Sequence, residues 1–163
     1  MRCIFISERR ASTVSDLRVV HEPAATDEAQ KRRVLATTVE VADSVFSAGK
    51  GLMFRSDLPA EYALVMEVGD SPLPFVTQPP RRSVHMLFVR VPLDVLWLDG
   101  DEVTAVARMQ PWRSVETARA NRIIELPAGN ATDVRPGDRV VVEKVLADES
   151  NRSRVALNTL TEP

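Results

Sequence analysis

The chain has 163 residues, 44% of them hydrophobic and 27% charged, with a formal net charge of −2 and a pI near 5.7. That size and composition fit one soluble globular domain over residues 1–163 with a sizeable core, and the near-neutral balance gives no overall field to hold nucleic acid or an anionic membrane. A single cysteine, Cys3, excludes an internal disulfide framework, no apolar stretch approaches about twenty residues, and Arg9-Arg10 follow the short apolar run Cys3 to Ile6 instead of preceding it. No export signal or spanning helix is legible, so the cytoplasm is the expected location.

Residues 1–16 offer few core side chains and are expected to be loosely held. Leu17 to His21 (LRVVH) reads as a strand. Val34 to Val41 reads as a second, with a wetter face, because Val39 and Val41 alternate with Thr38, Glu40 and Ala42; the two form a candidate hairpin across the polar segment Glu22 to Gln30. The period changes at Asp43-Ser44, both good N-caps, where Val45, Ala48 and Leu52 fall at i, i+3 and i+7. One short helix is predicted there, ending near Gly49 and Gly51, since each glycine costs a helix about 1 kcal/mol against alanine. Tyr62 to Val68 is a mostly apolar strand closed by Gly69-Asp70, and Ser71 to Arg82, with Pro72, Pro74, Pro79 and Pro80, reads as an ordered but irregular loop.

The densest apolar run is Val84 to Leu98, VHMLFVRVPLDVLWL. Apolar residues on both parities predict a strand covered on both faces, with His85 to Val91 inside a sheet. Pro92 donates no ladder hydrogen bond, so it splits the run and a new strand, Leu93 to Leu98, starts after it. Asp99-Gly100 then turns the chain and Glu102 to Met109 returns as the antiparallel partner. Further on stand Trp112, a helix-compatible run from Val115 to Ala120, and a short strand Ile123 to Leu126 ended by Pro127-Ala128-Gly129. Pro136-Gly137 feeds the strand Arg139 to Leu146, which Asp148 to Arg152 turns into Ser153 to Leu160, a C-terminal hairpin over residues 139–160. The predicted fold is mainly β, about eight or nine strands with one short helix.

Several stretches, in this order, resemble the family catalogued as domain of unknown function 192. They are Gly51-Leu52-Met53-Phe54-Arg55 with Leu58, Pro92-Leu93-Asp94-Val95-Leu96, Leu98-Asp99, Glu125-Leu126-Pro127-Ala128-Gly129 and Gly137-Asp138, a core of about residues 34–142. The resemblance implies a β-sandwich of the jelly-roll kind with a helix against one end, and it supplies no reaction. Where the common bacterial pattern has Trp-Met-Lys-Asn-Thr before the Pro-Leu-Asp, this chain has His85, Met86, Leu87, Phe88 and Val89, so that lysine and asparagine have no counterpart here.

Asp94 shares its strand parity with Leu96 and Leu98, so its carboxylate points at an apolar face and needs a partner. On the structural reading that partner is a set of backbone amides or an arginine at the Pro92 corner; on the functional one it is a substrate or water. Glu125, between Ile124 and Leu126, has the same character, and Arg55 is the natural counter-ion because a guanidinium serves a carboxylate bidentately. His85 is either a base or ligand beside the proline-rich loop, or a core histidine bonded to a carbonyl. Only His21 and Cys3 could join it at a metal, neither at ligand spacing. Ala48-Gly49-Lys50-Gly51 lacks the earlier glycine and the following Ser/Thr of a phosphate loop, and its glycines end a helix where binding needs a helix start. Lys31-Arg32-Arg33 and Arg81-Arg82 read as solvated loop charge without interleaved aromatics to stack bases. Trp97 and Trp112 could floor a ring-binding cleft, although Trp97 alternates with Leu93 and Val95 as core. The expected role is binding a small molecule or protein partner at a cleft near Arg55, His85, Asp94 and Glu125, with no cofactor, metal, nucleic acid or membrane. The alternative is a hydrolase using Asp94 or Glu125 as general base.

Overall fold

A computed structural model describes residues 13–14, 16–24, 31–42, 52–70 and 77–145. The described residues form β1 (Thr13–Val14), β2 (Leu17–Glu22), β3 (Arg33–Ala36), β4 (Thr38–Ala42), β5 (Tyr62–Glu67), β6 (Arg81–His85), β7 (Leu93–Asp99), β8 (Glu102–Met109), β9 (Val115–Arg119), β10 (Arg122–Pro127) and β11 (Arg139–Lys144), and contain no helix. The protein is mainly β, as its alternating and doubly apolar runs predict. The helix expected from Asp43, most of the loosely held N-terminal segment and the returning strand Ser153 to Leu160 lie outside the described residues. Thr13 and Val14 of that N-terminal segment pair with Glu40 and Val39.

Among the described residues nine strands share one sheet in the order β1-β4-β5-β10-β7-β8-β11-β2-β3, while β6 and β9 pair only with each other. The pairing is antiparallel except between β4 and β5. The expected hairpin forms as β2 and β3, but the run that begins at Val34 breaks at Thr37. Thr37 and Thr38 both donate their amides to the Glu61 carbonyl, at 3.0 and 2.9 Å, which swings the chain from its pairing with β2 to its pairing with β5. Because β3 and β4 stand near opposite ends of the strand order yet are one residue apart in the chain, the sheet is bent back on itself through this run.

β7 is the centre, hydrogen-bonded along its length to β10 and to β8. Its parities feed two separate cores. Leu96 and Leu98 join Val19, Val39, Val65, Ile124, Leu126 and Val140 on one face; Leu93, Val95 and Trp97 join Leu64, Met66, Val84, Met86, Met109 and Ile123 on the other. Each fully buried side chain of this kind contributes roughly 1.5–3 kcal/mol, so both faces of β7 are stabilised, as its composition predicts. The turn after it is shifted by one residue from the expected pair. Asp99 pairs with Glu102, the loop is Gly100-Asp101, and only Gly100 needs a positive φ, +62°.

Two sequence expectations are overturned. His85 to Val91 does not lie inside a sheet: β6 ends at His85 with β9 as its one partner, and Met86 to Val89 is a turn closed by the Val89 amide on the Met86 carbonyl, 3.2 Å. That turn buries Met86 and Val89 and leaves Leu87 and Phe88 49% and 43% exposed. An i, i+3 turn buries residues of both parities just as a doubly covered strand does, and apolarity alone does not separate the two. The run Val115 to Ala120, read as helix-compatible, instead forms β9 over Val115–Arg119. Ser83 and Thr117 hydroxyls meet across β6 and β9 at 2.7 Å, and Ala118 on β9 and Ala120 just after it turn toward the core as small packing residues.

Candidate functional site

Asp94 is 2% exposed, on the face that carries Leu96 and Leu98. Pro127 stands opposite Leu93, so the turn that follows β10 starts beside the first residues of β7. Gly129 at φ +107° aims that turn back, and the Asp94 carboxylate accepts the amides of Gly129 and Ala131 at 2.8 and 3.0 Å. Arg108 adds Nε at 2.8 Å and Nη2 at 3.3 Å. Burial by itself would raise the Asp94 pKa, but Arg108 and the two amides outweigh it and hold the carboxyl below its ordinary value. The arrangement pins the Pro92 corner to the Pro127-Ala128-Gly129 turn and leaves little of the carboxylate for a substrate.

The counter-ion of Asp94 is thus Arg108 and not Arg55. Arg55 donates through Nη2 to Glu40 at 3.1 Å and lies over the Tyr62 ring, 5.3 Å from its centroid, while the Tyr62 hydroxyl donates to the same Glu40 oxygen at 2.6 Å. Burial first and Glu40 second push the Tyr62 phenol far upward. A second pinned carboxylate, unforeseen in the sequence, is Asp138. It accepts the amides of Ala24 and Arg135, each at 2.9 Å, and meets buried His21 Nε2 at 2.8 Å. Burial would raise its pKa as well, and these donors bring it below the ordinary value.

Glu125 differs. Its parity on β10 is that of Ile123, so it faces the opposite side of the sheet from Asp94, between Leu64 of β5 and Val95 of β7. It is 8% exposed, no hydrogen bond or ion pair reaches it among the described residues, and burial alone pushes its carboxyl up to about 7. It opens on a cavity of about 450 Å³. The walls are mostly apolar, from Leu52, Met66, Val84, Val89 and Ile123, with Arg81, Arg82 and His85 supplied by β6. Trp97 Nε1 donates to the Arg82 carbonyl at 3.1 Å and fastens β6 above β7. Arg82 spends Nη2 on the carbonyls of Val68 and Gly69, at 2.5 and 3.3 Å, and its Nε is buried without a partner.

Of the four residues the sequence singled out, the cavity gathers His85 and Glu125, whereas Asp94 lies on the other face and Arg55 is bound to Glu40. His85 is exposed, so it is not a core histidine. Arg81 and Arg82, read as solvated charge, belong to the site. Their signal was weak because the prolines before them mark a loop, and nothing local shows that the next five residues form a strand over β7. Among the described residues no group of three or more His, Cys, Asp or Glu side chains could hold a metal ion.

Fold and site together define a mainly β protein with buried carboxylates fastening its corners and a ligand-sized cavity against one sheet face. The chain belongs to the uncharacterised family domain of unknown function 192, whose model matches residues 25–142. Its fold is similar to that of a Sinorhizobium meliloti 1021 protein described as a candidate transcription regulator, 21% identical, TM-score 0.60, the match covering 80% of this chain and 98% of that one. It is also similar to a protein of unknown function from Novosphingobium aromaticivorans DSM 12444, 23% identical, TM-score 0.59, covering 76% and 83%. At those identities the likeness is one of fold. No curated protein matches the chain.

Proposed function

We propose that this protein binds a small molecule in the cavity between β6 and the β5–β10 pair, with β6 and β9 acting as the second layer of a sandwich over the large sheet. The observation that carries this reading is Glu125, a buried carboxyl facing open volume with no partner among the described residues. Buried polar side chains in folded proteins are normally satisfied, and Asp94 and Asp138 are satisfied several times over in this same molecule. The cavity falls within the range of about 300–1,000 Å³ common to ligand pockets, and an apolar wall with a few polar groups is their usual chemistry.

N-phenyl-1-naphthylamine, an uncharged probe that fluoresces in apolar surroundings, tests the reading. Saturable emission is expected from the wild type and its loss from Met53→Trp, which places an indole where half-buried Met53 lines the cavity. Wild-type emission no higher than that of the variant would refute the proposal. A second reading, a hydrolase with Glu125 as general base, is favoured by the elevation of its carboxyl to about 7, near the value a base needs at neutral pH. Asp94 is not a candidate for that role, its oxygens being occupied. Hydrolysis of p-nitrophenyl octanoate that Glu125→Gln abolishes is the expected result on this reading, and hydrolysis unchanged in the variant excludes it.

A further inference from the structure

We infer that the end of the molecule carrying Phe54, Leu87, Phe88 and Trp112 docks on an anionic lipid bilayer, these four side chains entering it while Arg90 and Arg113 meet its headgroups. The four are 43–58% exposed. They stand on three turns that backbone hydrogen bonds hold together, the Phe54 amide donating to the Phe88 carbonyl at 2.8 Å and the Trp112 amide to the Met86 carbonyl at 3.0 Å. The rings form one patch, Phe54 tilted on Phe88 and Phe88 edge-on to Trp112. Met86 and Val89, on either side of Leu87-Phe88, are buried, so the exposed pair has a packed base. Phe54, Phe88 and Trp112 all hold φ between 63° and 68°, a left-handed backbone that side-chain-bearing residues avoid. Strain kept where the rings stay in water points to a surface held ready for a partner.

The charge beside the patch selects that partner. Arg113 follows Trp112, and Arg90 is separated from Phe88 by buried Val89, so Phe88 and Arg90 both face solvent. Among the described residues Arg18, Arg32, Arg55, Arg108, Arg122 and Arg139 each meet a carboxylate, whereas Arg90 and Arg113 have neither a hydrogen bond nor an ion pair. The stretches that build the patch, Leu52 to Arg55, Val84 to Leu93 and Gln110 to Val115, contain no acidic residue; Asp57 and Glu116 are the first beyond them. The net charge of −2 gives no general pull toward an anionic surface, so the attraction is local and short in range.

A second copy would set arginine against arginine across a two-fold contact. A protein partner would have to offer acidic groups and a hollow shaped for three rings. An anionic bilayer offers charge and apolar depth without a matching shape, guanidinium pairs well with its phosphates, and an indole with its apolar body and polar N–H suits its interface. Met53 and Val89, which line the cavity, are the chain neighbours of Phe54 and Phe88. Docking therefore sets a cavity wall beside the lipid, although it does not depend on the cavity being filled.

The two tryptophans make the test direct, because Trp97 is 1% exposed and Trp112 50%, so emission that changes on docking reports Trp112. The whole protein is titrated with vesicles of phosphatidylcholine alone or of equal parts phosphatidylcholine and phosphatidylglycerol. With the mixed vesicles emission is expected to shift to the blue and to be quenched by brominated acyl chains, at an affinity at least about tenfold above that for phosphatidylcholine alone. Arg90→Gln and Arg113→Gln should each weaken binding about fivefold. Phe88→Asn should weaken it at least about tenfold with an unchanged circular dichroism spectrum, because asparagine accepts a left-handed backbone more readily than phenylalanine. No binding to the mixed vesicles, equal affinity for both lipids, unquenched emission, or a Phe88→Asn variant that binds as the wild type does would overturn the proposal. With vesicles ignored, wild-type dimers that Phe88→Asn abolishes would give the patch to a second copy, and an acidic protein held by the wild type but not by Phe88→Asn would give it to that protein.

Discussion

Asp94 on β7 and Glu125 on β10 are buried carboxyls on neighbouring strands, and they face opposite sides of one sheet. Asp94 is met by Arg108 and two backbone amides; an asparagine would turn an NH₂ group toward at least one of these donors and forfeit the charge. Asp94→Asn should therefore lower the unfolding free energy by about 2 kcal/mol or more in urea denaturation, and a variant as stable as wild type would contradict the structural role. Because burial is outweighed by their donors and the folded pKa values of Asp94 and Asp138 lie below the ordinary aspartate value of 3.8, their stabilisation is present above that pH and is lost as pH falls through the folded values. Glu125 acts in the opposite sense. Its folded carboxyl, raised from 4.5 to about 7, binds a proton that the unfolded chain has released, so stability declines as pH rises from about 4.5 through 7 and stays lowered above it. Glu125→Gln should match wild type near pH 4 and exceed it near pH 8 by on the order of a few kcal/mol; equal stability at both would contradict this. Backbone strain sits at Phe54, Phe88 and Trp112, which hold φ at 68°, 63° and 66° and whose rings meet in sequence, Phe54 tilted on Phe88 and Phe88 edge-on to Trp112, with centroids 5.3 and 5.5 Å apart. A left-handed backbone costs a side-chain-bearing residue roughly 1–2 kcal/mol. Trp112→Gly should accordingly be about 1 kcal/mol more stable than Trp112→Ala, and the reverse order would show that the backbone there is unstrained.

At the scale of elements, β5, β7, β8, β10 and β11 were legible within a few residues because their apolar runs end at Gly69, Gly100, Pro127-Ala128-Gly129 and Pro136-Gly137, where turn chemistry is local. The run from Val84 was misread because a turn that buries Met86 and Val89 satisfies the same composition as a strand covered on both faces. Asp94 was legible as a carboxylate in need of a partner, but the partner was not. Counting back from Asp99 opposite Glu102 places Ala107 beside Asp94, and a bulge at Trp97/Leu98 slips the register so that Arg108 takes that place. The company of Glu125 depends on β10 lying between β5 and β7 and on β6 crossing above, neither of which any local stretch encodes. Among the described residues the β6–β9 pair has no further ladder partner, whereas β7 is paired on both sides. Amide exchange should therefore be faster in Arg81–His85 and Val115–Arg119 than in Leu93–Asp99, and equal protection would mean that the small sheet opens only with the large one.

Among the described residues three carboxyls are buried, and Glu125, without a partner, stands apart from Asp94 and Asp138, which are fully engaged. Asp94 and Asp138 fasten loops to the bent nine-stranded sheet, while β6, anchored by Trp97 and by the Arg82 contacts to Val68 and Gly69, roofs the face on which Glu125 lies. A structural carboxyl would have been supplied with donors as those two were; Glu125 is supplied with space. The most direct test is a carbon-13 NMR titration of the glutamate carboxyl that disappears in Glu125→Gln. A midpoint of about 7 is expected in the free protein. A midpoint near 4.5 would contradict the burial of an unpartnered carboxyl at this position.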